Sequence, residues 1–150
     1  MTDDIIKKIM DIDKTFYKEK FTFEWYRKRN DEENIVFCLY DKNELVGYSA
    51  VSGIKEKLYN EIKSGKYKND YKFDYKMFDK DSPFKYLSSI NILEDYRKKG
   101  FGTKLLNKTL RYFKKYNIIA LTVSRGGYAL LNKKMKLIKQ VSSDVSVFEN

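Results

Sequence analysis

Histidine is absent from this 150-residue chain, proline and cysteine each occur once, and glycine occurs seven times. Without histidine there is no Ser-His or Cys-His dyad and no imidazole base, and most zinc sites are excluded. No metal is therefore expected. A single cysteine, Cys38, cannot form an internal disulfide, which points to a cytoplasmic protein. The start, Met1-Thr2-Asp3-Asp4, is acidic and polar, so no signal peptide is expected. The longest apolar stretches, such as Ile35–Tyr40, are strand-sized, so no membrane span or membrane partner is expected. No repeat or linker is visible, and the length suits one domain over residues 1–150. Any chemistry must run on carboxylates, tyrosines, hydroxyls, lysines and backbone amides.

What is present is a globular composition, 42% hydrophobic and 35% charged. The net charge is +10. Such a balance suits an anionic partner, either a nucleic acid or a phosphate-bearing cofactor. The lysines are scattered and mostly have acidic neighbours, which a general compositional bias also explains.

Ile5, Ile6, Ile9, Ile12 and Phe16 recur at spacings of three and four, predicting an amphipathic helix within residues 3–20. Thr22 can cap a short helix over Phe23–Arg29. Ile35–Tyr40 and Leu45–Val51 read as a hairpin about Asp41-Lys42-Asn43-Glu44. Ile54, Leu58 and Ile62 predict a helix ending near Gly65, followed by a Lys/Tyr/Asp-rich stretch without a clear period. Residues 54–82 are long for a strand connection, and long connections are often functional. A strand is predicted over Tyr86–Leu93, a helix over Thr103–Tyr116 and a strand over Ile118–Val123. Gly126-Gly127 is expected to break the chain before a helix at Tyr128–Met135, and Leu137–Val141 and Val145–Phe148 close the fold as strands. The order is that of a mixed α/β sheet.

The segment Arg97-Lys98-Lys99-Gly100-Phe101-Gly102-Thr103 joins a strand to a helix. A helix start leaves about four backbone N–H groups unpaired and carries partial positive charge. Glycines let that backbone approach an anion closely, and the three preceding cations add charge. Together these features make a diphosphate cradle. A nucleotide P-loop is excluded, because Thr103-Lys104 reverses the required Lys-Ser/Thr order and the first glycine is missing. Lys99-Gly100-Phe101-Gly102 also matches the opening of the RNP1 pattern of RNA-binding strands, but helical periodicity follows it.

Ile90-Asn91-Ile92-Leu93-Glu94-Asp95-Tyr96-Arg97-Lys98-Lys99-Gly100-Phe101-Gly102-Thr103-Lys104-Leu105-Leu106 resembles the signature of the GNAT superfamily of acyl-CoA N-acyltransferases. That signature is an apolar strand, Tyr-Arg, Arg/Gln-x-x-Gly-x-Gly/Ala and a helix with paired leucines. Leu121-Thr122-Val123 and the helix holding Ala129 resemble the family's next block. The resemblance implies a GNAT-like mixed, largely antiparallel sheet flanked by helices, with splayed central strands. It also implies acetyl-CoA as cosubstrate. Ile90 and Ile92 would pair with the pantetheine arm through their backbone. Arg97, Lys98, Lys99, Gly100, Phe101, Gly102 and Thr103 would hold the pyrophosphate. The sequence departs from the family in two places, the last block and position 94. Asn132 or Lys133 stands at the usual tyrosine and Lys136 at the following glycine, so Tyr128, one turn earlier, becomes the substitute thiolate-protonating group. Position 94 is Glu where the family often has proline.

The implied activity is transfer of acetyl to a primary amine by direct attack in a ternary complex. A lysine-like amine has a pKa of about 10.4 and must lose a proton before attack. Glu56 is the leading carboxylate for that step, with Asp79 and Asp81 as others, and Ser88 and Ser89 are candidates to line the notch. The acceptor is an amine of unreadable class, and the protein is expected as a monomer or homodimer. Two alternatives stand: a basic RNA-binding module using 13 tyrosines, 10 phenylalanines and one tryptophan, or a CoA-binding relative without catalysis.

Overall fold

The computed structural model describes residues 1–17, 21–29 and 34–150. Its elements are α1 (Asp3–Asp13), α2 (Phe23–Lys28), β1 (Asn34–Asp41), β2 (Glu44–Gly53), α3 (Glu56–Lys63), β3 (Phe84–Ile92), α4 (Phe101–Tyr112), β4 (Asn117–Thr122), α5 (Arg125–Leu131), β5 (Lys136–Gln140) and β6 (Ser146–Glu149). The strands form one six-stranded sheet in the order β1-β2-β3-β4-β6-β5. Every neighbouring pair is antiparallel except β3 and β4. This is the mixed, largely antiparallel sheet that the sequence predicts.

Local chemistry explains the elements. Thr22 accepts a hydrogen bond from the Trp25 N–H at 3.2 Å and starts α2. Lys42 and Asn43 both take positive φ, so the β1–β2 hairpin turns tightly in the hand that suits twisted strands. On one sheet face α4 buries Leu105, Leu106 and Thr109, and Phe113 follows it into a core with Val51, Leu87, Ala120 and Phe148. Each such large apolar side chain contributes about 1.5–3 kcal/mol on full burial. On the opposite face α3 packs Leu58 and Ile62 against Tyr86, Ile119 and Val147. Beside it α1 packs Ile6, Ile9 and Ile12 against Leu45, Tyr48 and Ala50.

Three helices differ from the sequence reading in their bounds. Helix α1 ends at Asp13 and Phe16 is exposed, with part of the predicted span, residues 18–20, outside the described residues. Helix α4 begins at Phe101 and ends at Tyr112, because Gly100 supplies the left-handed turn that the entry needs. Gly126 and Gly127 do not break the chain; they form the first turn of α5, where the Ser124 hydroxyl accepts from the Gly127 N–H at 3.1 Å. A strong N-cap there outweighs the low helix propensity of two glycines.

Strand β3 carries one further feature. Its register against β2 shifts between Ala50 and Val51, leaving Ser88 as an extra residue. The bulge resets the alternation of side chains. Tyr86 lies in the α3-side core, while Ile90 and Ile92 pack toward α4. Unbroken alternation would have put all three on one face.

Candidate functional site

Strand β3 ends when the Leu93 N–H donates to the Val46 carbonyl at 2.9 Å. A single 3-10 turn, Glu94–Tyr96, follows, and the Tyr96 hydroxyl donates to Glu44 at 2.8 Å. Lys98 has φ +58° and Gly100 φ +85°, so the chain twists twice through the left-handed region before α4. A non-glycine residue held there costs of order 1–3 kcal/mol, and such strain clusters at ligand clamps. Phe101 anchors the loop from below, packing with Leu39, Val46, Ile92 and Leu105. The first intrahelical bond runs from the Lys104 N–H to the Gly100 carbonyl at 3.0 Å. Among the described residues, the N–H groups of Phe101, Gly102 and Thr103 have no acceptor. A Cβ on Gly102 would stand 3.4 Å from Leu130 and 3.9 Å from Ile92, so this glycine faces α5 and the end of β3. Orphan donors, the positive end of a 12-residue helix, and Lys98 and Lys99 beside them form an anion cradle.

The cradle lies at the end of a gap in the sheet. Strands β3 and β4 pair only from Phe84 with Asn117 to Leu87 with Ala120. Beyond that β3 runs on to Ile92 and β4 to Thr122 without pairing to each other. Because Leu93 donates toward β2, alternation turns the backbone groups of Ile90 and Ile92 away from β2, toward the gap. An extended amide-bearing ligand could add to this edge as a strand does.

On the sheet face opposite α4, a cavity of about 240 Å³ opens beside the same bulge. Its lining includes Ser88 and Ser89 from β3, Asp13 and Tyr17 at the end of α1, Trp25, Tyr26 and Arg29 from the α2 region, and Asp70, Phe73 and Tyr75 from the long connection. The connection is fastened at its return. Lys55 N–H donates to the Met77 carbonyl at 2.8 Å and Asp79 N–H to the Gly53 carbonyl at 2.9 Å. Gly53 is required for that seam, since a Cβ there would lie 2.0 Å from the Asp79 carbonyl oxygen.

A buried carboxylate in this wall is that of Asp13, 4% exposed. It accepts from the Tyr48 hydroxyl at 2.7 Å, Asn91 Nδ2 at 2.8 Å and the Tyr26 hydroxyl at 2.9 Å. Burial pushes its pKa above the ordinary carboxylate value despite these three bonds and the charge of Arg29. The Tyr17, Tyr26 and Tyr48 phenols are pushed up as well, first by burial and then by the neighbouring Asp13 charge. Asp70 accepts a longer bond, 3.4 Å, from the Tyr86 hydroxyl.

The structure sorts the sequence candidates. Lys98 through Thr103 form the cradle, and Ile90 and Ile92 the gap edge. Arg97 turns away. Its Nε donates to the Ile92 carbonyl at 3.0 Å, its terminal nitrogen to Thr15 at 3.2 Å, and its guanidinium lies over Phe16 at 4.4 Å. It ties the loop to the end of α1, and it occupies the Ile92 carbonyl. Glu56 is exposed in the first turn of α3 and Asp79 and Asp81 lie in the turn before β3; none of the three lines the cavity. Ser88 and Ser89 do line it, with the Ser88 hydroxyl donating to the Ala50 carbonyl at 3.1 Å. Tyr128 packs edge-on against Phe148, and among the described residues its hydroxyl has no partner. Asn132 and Lys133 are exposed at the end of α5. Lys99-Gly100-Phe101-Gly102 is a turn entering a helix, with Phe101 packed inward, so it lacks the strand geometry of RNP1.

Asp13, Asp70 and the aromatic walls are functional candidates that sequence reasoning missed. Asp13 did carry a signal: four residues after Ile9, it falls on the buried stripe of α1. Asp70 and Tyr75 carried none, lying in a stretch without periodicity.

These features match known proteins. No sequence among curated proteins matches the chain. Solved structures do match. NAA60 of Arabidopsis thaliana in complex with acetyl-CoA is 12% identical with a TM-score of 0.68, covering 97% of this chain and 92% of that one. The GphF GNAT-like decarboxylase in complex with isobutyryl-CoA is 11% identical with a TM-score of 0.73, covering 100% and 96%. Aminoglycoside 6'-acetyltransferase type Ii is 14% identical with a TM-score of 0.67, covering 98% and 89%. At these identities the likeness is one of fold. The sequence itself carries the assignment further. The acetyltransferase (GNAT) family model matches residues 5–131, across both the gap and the cradle, and the chain belongs to that family.

Proposed function

We propose that this protein is an acetyl-CoA-dependent N-acetyltransferase that acetylates a primary amine by direct attack in a ternary complex. Membership of the family supports acyl transfer in general. One observation carries the finer reading. The unpaired β3 edge joins an anion cradle at one end to a carboxylate-bearing cavity at the other, through the Ser88 bulge. The thioester supplies an activated acyl group and a good leaving thiolate.

The chain's own residues do the rest. The N–H groups of Phe101, Gly102 and Thr103, with Lys98 and Lys99, bind the pyrophosphate. The backbone of Ile90 holds the pantetheine amides in strand register and brings the thioester to the bulge. The cavity presents the amine from the other side. Holding both reactants in line can supply roughly 7–11 kcal/mol of the barrier. The amine nitrogen attacks the carbonyl carbon, the C–N bond forms, the C–S bond breaks, and the thiolate takes a proton. Tyr128, with its unpartnered hydroxyl, is the proposed donor of that proton. The proton that the ammonium loses before attack goes to a cavity carboxylate and then to solvent, and the second proton, shed by the nitrogen once the C–N bond has formed, restores the Tyr128 hydroxyl. Asp70, which lines the cavity, is better placed than the exposed Glu56 for this transfer.

Isothermal titration with acetyl-CoA tests the reading. Saturable binding is expected, and no heat at millimolar ligand with folded protein would sink it. The exposed Asn132 and Lys133 favour a second reading, in which the chain binds CoA without transferring an acyl group. Thiol release from acetyl-CoA with any amine would exclude that reading.

A further inference from the structure

The cavity also constrains the acceptor. This step rests on the acetyl-transfer reading, which makes the cavity the amine site. We infer that the acceptor is a small, singly charged ammonium with a flat or bulky apolar body, its charge held by Asp70 and its body by the aromatic walls.

Four observations lead there. The first is size. A cavity of about 240 Å³ suits a small organic amine. The second is the wall. Phe21, Trp25, Tyr26, Phe73, Tyr75 and Phe78 all line it, which gives apolar contact and ring faces that attract a cation. Several of these rings are braced: Phe21 stacks on Trp25 at 4.2 Å, and Phe73 meets Tyr86 edge-on at 5.1 Å. A rigid aromatic wall loses little entropy when it is filled.

The third observation is the charge count. Among the described residues, Asp13, Asp70 and Arg29 are the charged residues in the lining. Asp13 already accepts from three donors and lies in the field of Arg29. Asp70 accepts only the long Tyr86 bond and, among the described residues, has no ion-pair partner. Among the described residues one carboxylate therefore remains for a ligand, which suits one ammonium better than a polyamine. An anionic ligand would face both carboxylates, with Arg29 as the one cation of the described lining to offset them. The fourth is position. Ser88 and Ser89 belong to the cavity wall, so an ammonium near Asp70 shares the cavity with the bulge where the gap begins.

The sole tryptophan of the sequence lines this cavity, so its emission reports directly on occupancy without any turnover. The test titrates the full-length protein, without acetyl-CoA, with 2-phenylethylamine, phenylacetate, spermine and a tripeptide amide with a free N-terminus. Saturable quenching by 2-phenylethylamine is expected, with phenylacetate, spermine and the tripeptide each at least about tenfold weaker. Asp70→Asn keeps an acceptor for the Tyr86 hydroxyl and should weaken the amine by about tenfold, since only the charge is lost. Equal binding of amine and carboxylate, a preference for spermine or the tripeptide, or no response to 2-phenylethylamine at tens of millimolar overturns the inference. So does an unchanged affinity in a folded Asp70→Asn protein. Amine binding without thiol release from acetyl-CoA would instead remove the acetyl-transfer reading and leave the cavity's ligand class standing.

Discussion

The cradle occupies six consecutive residues, Lys98 to Thr103, whereas the cavity beside it gathers residues from Asp13 to Ser89. The cradle works through backbone: positive φ at Lys98 and Gly100, then N–H groups that the helix cannot use. The cavity works through side chains: a satisfied carboxylate, an underused one and a lining of rings. A backbone site depends on glycine and on helix polarity, so many side chains can change around it without loss. A side-chain site depends on every element that contributes to it, so its specificity can vary while the cradle stays the same. One family can thus share a cosubstrate site and differ in acceptor.

The comparison can be broken most severely at Asp13. Asp13→Ala would strip the acceptor from Tyr26, Tyr48 and Asn91 at once, and a loss of about 3 kcal/mol in stability is expected, read by denaturant unfolding. Asp13→Asn keeps an acceptor and should cost less, while revealing a pH effect. The folded pKa of Asp13 is raised above the unfolded value of about 3.9. The native state therefore holds this proton more tightly, and its contribution to stability is lost as pH rises from that value through the folded one. The wild-type Tm should fall relative to Asp13→Asn over that interval and run parallel above it. A constant difference between the two curves from pH 4 upward would refute the assignment.

Next in size is Gly102→Glu, which sets a carboxylate in the cradle. Acetyl-CoA affinity should fall by about 100-fold or more, because like-charge contact costs several kcal/mol. Quenching of Trp25 by an amine should survive, since no cavity residue changes. A joint loss would show that the two regions are not separable. The smallest effect is expected at Gly100→Ala, where a Cβ meets nothing within 4 Å but φ is +85°. Strain alone should cost roughly 1–2 kcal/mol of stability, and calorimetry should show a milder loss of acetyl-CoA binding than Gly102→Glu gives.

The two regions also differed in how far residue order revealed them. The cradle was legible because Gly100, Gly102 and the leucine spacing of α4 sit side by side in the chain. The order of helices and strands was legible for the same reason. Arg97 shows the limit of such reading. Next to the glycines in sequence, it looked like a phosphate ligand, yet Thr15 and Phe16 hold it from 82 residues away. Glu56 shows it too: the end of β2 lies near the cavity, but the first turn of α3 points that carboxylate to solvent. Residues 18–20 and 30–33, which flank α2, lie outside the described residues.

By itself the sequence determined the main elements, their order, the family and the glycine turn before α4, because periodicity, capping and glycine placement act over a few residues. Only the tertiary structure decided which carboxylates line the cavity, where Arg97 goes, and that a bulge at Ser88 sends Ile90 to one face and Ser89 to the other. Those outcomes depend on contacts between segments far apart in the chain, whose energies no local pattern encodes.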